Sequence, residues 1–201
     1  MFRSLNLNPD QIPTKKPVKK DKERWNARYK EFTGGSASPD NLLVSNSGLL
    51  SRGRGLDLAC GHGANSIFLA GRGYWVDALD ISHEGVRQAQ SRARGLKLEV
   101  GWLVADLDDF PIPQGIYDVT LVFYFYSEPL LPKILGALKP TGLLYYSTYN
   151  YRHTSLKPDF KPEYLVPEGG LGRLFPGLRI LLDEPEAGSE GNLSRLIAQK
   201  Y

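Results

Sequence analysis

From residue 55 onward, short apolar runs alternate with segments of helical spacing, and only the last connection breaks the rhythm. A strand is expected at 55–59, then a helix at 65–72 ended by Gly73. A second strand follows at Tyr74–Asp80. Ser82 can cap a helix running to Arg94, with Val86, Ala89 and Ala93 on one face and Gly95 as its stop. The third strand falls around Lys97–Val104, and the fourth is "DVTLVFYF", Asp118–Phe125. That unbroken apolar and aromatic run suits a central strand covered on both faces. A helix over Leu130–Leu138 buries Leu131, Ile134, Leu135 and Leu138, "KPTG" ends it, and a fifth strand covers Leu143–Tyr149. An irregular stretch, Asn150–Pro167, leads to a short helix near Leu171–Phe175. The final strands, "LRILLDE" and "LSRLIAQK", are joined only by "PEAGSEGN", too short for a helical crossover, so they must run antiparallel. This pattern predicts an α/β fold: a doubly wound, mostly parallel seven-stranded sheet with an antiparallel hairpin at one edge. Ligands of such sheets bind beyond the carboxyl ends of the strands.

The 201 residues suit one domain, expected over 21–201 behind a disordered basic tail at 1–20. Residues 1–24 hold seven basic residues (Arg3, Lys15, Lys16, Lys19, Lys20, Lys22, Arg24) against three acids (Asp10, Asp21, Glu23). With a whole-chain net charge of +3, the remainder is close to neutral, at −1. The basicity is therefore confined to the Pro/Lys arm, and the folded part has no nucleic-acid footprint. No apolar run approaches the ~18 residues of a membrane span, and "MFRSLNLNPDQIP" lacks a secretory core, so the expectation is a cytoplasmic protein. A lone cysteine, Cys60, excludes an internal disulfide and a cysteine zinc cluster, and three scattered histidines make no metal site. "DKERWNARYKEF" places Trp25, Tyr29 and Phe32 at helical spacing ahead of a loop, "TGGSASPDN".

The chemistry is concentrated in "LDLACGHGANS", residues 56–66. Gly61 and Gly63 permit positive φ and close backbone approach, and the helix that follows offers unpaired N–H groups. Asp57 adds an acceptor for a cationic or N–H-bearing group, so the site suits a zwitterion better than a bare phosphate. Asp80 ends the second strand, where an acid accepts from ribose hydroxyls, and Asp106 ends the third, where it can accept from a purine amine. An amino acid, a ribose and an adenine would meet these carboxylates in turn, and S-adenosylmethionine carries all three.

"DLACGHGANS", "VDALDIS" and "ADL" resemble the first three motifs of the class I S-adenosylmethionine-dependent methyltransferases. "FPGLRILLDE" and "SRLIAQK" resemble the end of that Rossmann-like fold, and "RWNARY" points to the tellurite-resistance/thiopurine-type branch. The resemblance implies cofactor contacts from Asp57, Ala59, Gly61, Gly63, Asp80, Ile81, Asp106, Leu107 and Phe123, with Trp25 and Tyr29 in a lid. Ala59 departs from the pattern, since many members carry glycine there. The amino-methylating Asn/Asp-Pro-Pro-Tyr motif is absent after the fourth strand, where "FYFYSE" (Phe123, Tyr124, Phe125, Tyr126) stands instead. The expected reaction is methyl transfer to a small molecule, such as a thiol or metalloid, by a monomer or weak homodimer. The wall "YNYRHTSLKPDFKPEY", with Tyr149, Arg152 and His153, is the expected acceptor side. Two alternatives stand beside this: a nicotinamide-binding Rossmann oxidoreductase, and a catalytically silent adaptor that keeps the fold. No catalytic side chain is singled out, and no nucleic-acid or membrane partner is expected.

Overall fold

The computed structural model describes residues 19–31 and 38–201. The expected basic tail lies outside these residues, apart from Lys19 and Lys20, which open the first helix; Phe32 also lies outside. Seven strands form one sheet in the order β3-β2-β1-β4-β5-β7-β6. They are β1 Arg54–Leu58, β2 Trp75–Asp80, β3 Gly101–Val104, β4 Tyr117–Phe123, β5 Leu138–Tyr149, β6 Leu178–Ala187 and β7 Leu193–Lys200. The helices are α1 Lys19–Glu31, α2 Asn41–Ser45, α3 Ala64–Gly71, α4 His83–Gly95, α5 Leu131–Ala137 and α6 His153–Leu156. Pairing is parallel from β3 through β5, and β7 runs antiparallel to both β5 and β6.

The apolar pattern explains the layering. On β4, Val119, Leu121 and Phe123 face one layer and Tyr117 and Val122 the other, so the strand is buried on both sides. One layer packs α2, α3 and α4 against the sheet through Leu43, Leu69, Val86, Ala89 and Ala93. The other packs α5 and two loop segments through Ile134, Phe110, Ile112 and Phe175. Each fully buried Leu or Phe in these layers stabilises by about 1.5–3 kcal/mol. α4 starts where expected, because the Ser82 hydroxyl accepts from Gly85 N at 3.1 Å. It includes Gly95, and the left-handed turn falls on Lys97 at φ +57°.

Four elements differ from the sequence expectation. β3 and β4 are joined by an irregular segment, 105–116, that seats Leu107, Phe110 and Ile112 in the core, so that alternation carries no helix. Pro111 and Pro113 interrupt any helical pattern there. β5 begins at Leu138, pairs once with Tyr117, breaks around Thr141 at φ +65°, and resumes at Leu143. The helix expected near Leu171–Phe175 is a single 3-10 turn, Gly172–Leu174. The stretch read as loop ends in α2, capped by Asp40, whose carboxylate accepts from Leu42 N at 2.8 Å.

Candidate cofactor and acceptor site

β1 delivers Asp57 to the start of the glycine bend, and β2 delivers Asp80 beside it. Asp57 is buried, with its Oδ2 accepting from the Ser66 hydroxyl at 2.5 Å. Asp80, also buried, accepts from Gly61 N at 2.8 Å and from Ser82 N at 2.7 Å. One carboxylate thereby ties the glycine bend to the start of α4. The bend is left-handed three times, at Ala59 (φ +56°), Gly61 (+52°) and Gly63 (+70°). Ala59 carries that backbone despite its methyl group.

Gly63 is required by packing as well as by its φ, since a Cβ there would collide with the Trp102 ring and lie 2.7 Å from Ala89 Cβ. As the N-cap of α3, Gly63 has no side-chain oxygen to give, and no side chain caps that end. Among the first-turn N–H groups of α3, that of Ser66 is bonded by the Asp57 carboxylate, while Ala64 and Asn65 lie ahead of any intrahelical acceptor and receive no cap from Gly63. At Gly61 the added Cβ would stand 2.6 Å from the Tyr29 hydroxyl.

That contact shows how α1 docks. Tyr29 covers Gly61 and meets the His62 ring edge-on at 4.5 Å, with Trp25 stacked behind it at 5.9 Å. Asn26 Oδ1 accepts from the Ser82 hydroxyl at 2.7 Å and from Glu84 N at 3.1 Å, adding a second cap to α4. Gln88 Nε2 donates to Tyr29 O at 2.9 Å. Burial, reinforced by the Asp80 charge, raises the Tyr29 phenol and keeps it protonated.

Burial drives the other titrations as well. It pushes the Cys60 thiol well up, with Asp80 and Asp57 adding to the effect, which leaves a neutral thiol rather than a nucleophile. It raises Asp80 against the opposing bonds from Ser82 and Gly61. It pushes Asp57 up to about 7, opposed by the Ser66 bond and aided by Asp80. A carboxyl raised in the folded state contributes stability at low pH that is lost as pH climbs toward that value. Asp57→Asn is therefore expected to gain stability relative to the parent between about pH 4 and pH 7, by up to about 4 kcal/mol. Urea denaturation of both chains across that range measures it; parallel curves would refute the assignment.

The remaining candidate residues are spread along the strand ends. Asp106 follows β3, partly exposed, and its Oδ1 accepts from Asp108 N at 3.1 Å. Leu107 and Phe123 are core residues on opposite sheet faces, and Ile81 is half-buried between Asp80 and Ser82. The structure thus brings Asp57, Ala59, Gly61, Gly63, Asp80 and Tyr29 together, with Asp106 and Leu107 at the end of β3. Of the aromatics after β4, Tyr126 enters the core, Phe125 packs against it, and Tyr124 turns outward at φ +54° toward Tyr149, 5.7 Å away. Tyr149 stacks on buried His153 at 3.9 Å, whereas Arg152 pairs with Glu186 at the surface.

The sequence did not single out a cavity that adjoins the bend. A cavity of about 350 Å³ lies between Asp40, Asn41, Asn65, Tyr124 and Arg195. Asn65 stands in the first turn of α3, so the cavity adjoins the glycine bend, and its Oδ1 accepts from Asp40 N at 2.8 Å. A positively charged residue among the apolar positions of "LSRLIAQK" was the available signal for Arg195.

Residues 56–142 match the family described as "Methyltransferase domain". A solved S-adenosylmethionine-dependent methyltransferase from Aquifex aeolicus superposes with a TM-score of 0.65 at 19% identity, covering 88% of this chain and 98% of that one. TehB from Haemophilus influenzae gives a TM-score of 0.69 at 15% identity, covering 88% of this chain and 67% of that one. The fold is the Rossmann-like methyltransferase fold, and the matched segment holds the glycine bend, both buried carboxylates and β4. Both likenesses are to methyltransferases, and the matched segment makes up less than half of this chain. Among curated proteins, an uncharacterized protein of Mycobacterium tuberculosis (strain H37Rv) is 41% identical over 80 residues, 40% of this chain. The match spans 29% of that relative's length. Among the described residues, no helix is long and apolar enough to cross a membrane.

Proposed function

We propose that this protein transfers the methyl group of S-adenosylmethionine to a small-molecule acceptor, such as a thiol or metalloid. The observation that carries the reading is the uncapped start of α3 behind a left-handed glycine bend, with buried Asp57 and Asp80 alongside. Unpaired N–H groups at a helix N-terminus suit an amino-acid carboxylate, and the neighbouring acids suit the cationic and hydroxyl groups of the same molecule. The residues therefore fit the cofactor. Gly61, Gly63 and the first turn of α3 would hold its amino-acid end, with Asp80 and Ile81 near its ribose and Asp106 and Leu107 near its base. When bound, the cofactor supplies an activated methyl on a sulfonium, so catalysis is mainly positioning.

The chain's own residues do the rest. Asp80 holds the bend in shape through Gly61 N and Ser82 N, and α1 covers it through Trp25 and Tyr29, which would exclude water. The cavity beyond Asn65 is large enough for a small acceptor. The likeness to TehB supports the tellurite-resistance/thiopurine-type branch, and a single domain over 21–201 acting as a monomer or weak dimer accords with this scheme. Calorimetry with S-adenosylhomocysteine is expected to give one site per chain, with no heat from NADH. Binding of NADH alone would transfer the site to the nicotinamide reading.

A further inference from the structure

We propose that Arg195 and Ser147 form a seat for an oxyanion of the methyl acceptor, so that the acceptor carries a carboxylate or a chemically similar group. The inference rests on the methyl-transfer reading above and assigns the cavity beside it. Ser147 of β5 is register partner to Arg195 of β7 on one side and to Phe123 of β4 on the other. Directly paired residues of antiparallel strands project from the same sheet face, with Cβ atoms roughly 5 Å apart. The two side chains therefore stand together, on the face that also carries Tyr145 and Ile197.

Both side chains hold polar atoms that the fold leaves unpartnered. Ser147 is completely buried and its hydroxyl makes no hydrogen bond; Arg195 Nε is likewise buried without one. Leaving a buried donor unpaired costs about 1–3 kcal/mol; Arg195 lines the cavity and Ser147 lies next to it in register, so the pair points to a ligand at that wall. The guanidinium's protein ion pair is loose, Nη1 to Glu184 Oε2 at 3.5 Å, and Glu184 is itself well exposed.

The charges around the cavity favour an anion. Asp40 is the acid among the lining residues, and its carboxylate is already engaged by Leu42 N and stands beside the Tyr124 hydroxyl. Burial and that carboxylate push the Tyr124 phenol up to about 12, so it stays protonated and adds no second negative charge. Arg195 thus supplies an unmatched Nε donor, while Asp40 already accepts from Leu42 N and the Tyr124 hydroxyl. A guanidinium fork is the geometry that receives a carboxylate-type oxyanion, and a neighbouring hydroxyl adds a third donor.

The test uses sodium benzoate as probe, with benzamide as its neutral counterpart, titrated into protein saturated with S-adenosylhomocysteine. Benzoate is expected to bind at least 10-fold more tightly than benzamide. Arg195→Gln should abolish that preference. Ser147→Ala, a milder change that preserves the strand, should weaken benzoate about threefold or more, with S-adenosylhomocysteine affinity unchanged in both variants. The seat is overturned if benzoate and benzamide bind alike or not at all, or if both variants keep the preference. A loss of S-adenosylhomocysteine affinity in Arg195→Gln also overturns it, by assigning the arginine to the cofactor's carboxylate instead. If the parent protein fails to bind S-adenosylhomocysteine, it is the methyl-transfer reading that falls.

Discussion

Gly63→Ala is expected to destabilise the protein by about 2–5 kcal/mol. Two costs add at one atom. The residue sits at φ +70°, where a side chain costs roughly 1–2 kcal/mol. The new methyl would also press into the Trp102 ring and Ala89, and overpacking of that kind costs about 1–3 kcal/mol. Neither neighbour has room to yield, because Trp102 and Ala89 belong to the layer that joins β3 and α4 to the sheet. The melting temperature should fall by about 4–20 °C. Gly48→Ala is the matched control, since nothing lies within 4 Å of a Cβ there, and it should melt like the parent. Scanning calorimetry on the three chains decides the matter. A Gly63→Ala protein as stable as the parent would mean that the close approach of α4 to the bend is wrong.

Asp80→Ala acts on function more than on packing. The carboxylate accepts from Gly61 N and from Ser82 N. Its removal leaves two donors unpaired and frees the bend from α4. S-adenosylhomocysteine affinity is expected to drop by about 1–3 kcal/mol, roughly 5- to 150-fold. Asp80→Asn should recover part of this, because its remaining carbonyl can still accept from one of the two N–H groups while its amide must face the other. Calorimetric titration of all three proteins supplies the comparison. Identical affinities would remove Asp80 from the cofactor site, though not from the fold.

Legibility in the sequence followed the range of the interactions. α4 could be read because Ser82, Val86, Ala89 and Ala93 carry its cap and its buried stripe within one segment. β4 could be read because burial on both faces writes an uninterrupted apolar run. The final hairpin followed from loop length alone. By contrast, α2 is five residues long and begins in turn-forming residues, so its Leu42–Leu43 anchor leaves no periodic trace. The early start of β5 depends on one pairing with Tyr117, which no local pattern encodes.

The same division runs through the site. Gly61, Gly63 and Asp80 announce themselves by spacing, because the backbone demands of the bend are local. Ser147 and Arg195 meet only through strand register, with 47 residues between them in the chain, and nothing in either segment marks the other. Likewise, Arg54 and the buried Asp77 and Tyr117, with Arg54 Nε 2.9 Å and the Tyr117 hydroxyl 3.1 Å from Asp77 Oδ2, join three strands at the end remote from the bend. In the sequence, Asp77 is simply one more polar residue in a strand.

The reversed strand β7 sits between two strands that precede it, its register with β5 joining Leu143 to Gln199 and Tyr149 to Leu193. Until β7 slots in, β6 has no partner and β5 is paired along only its β4 edge. Such distant pairings are slow to form, and meanwhile both waiting strands present bare hydrogen-bonding rims to any passing chain. Damage to the Leu193–Lys200 segment would therefore announce itself first as clumping during refolding, well before any defect in chemistry could be assayed.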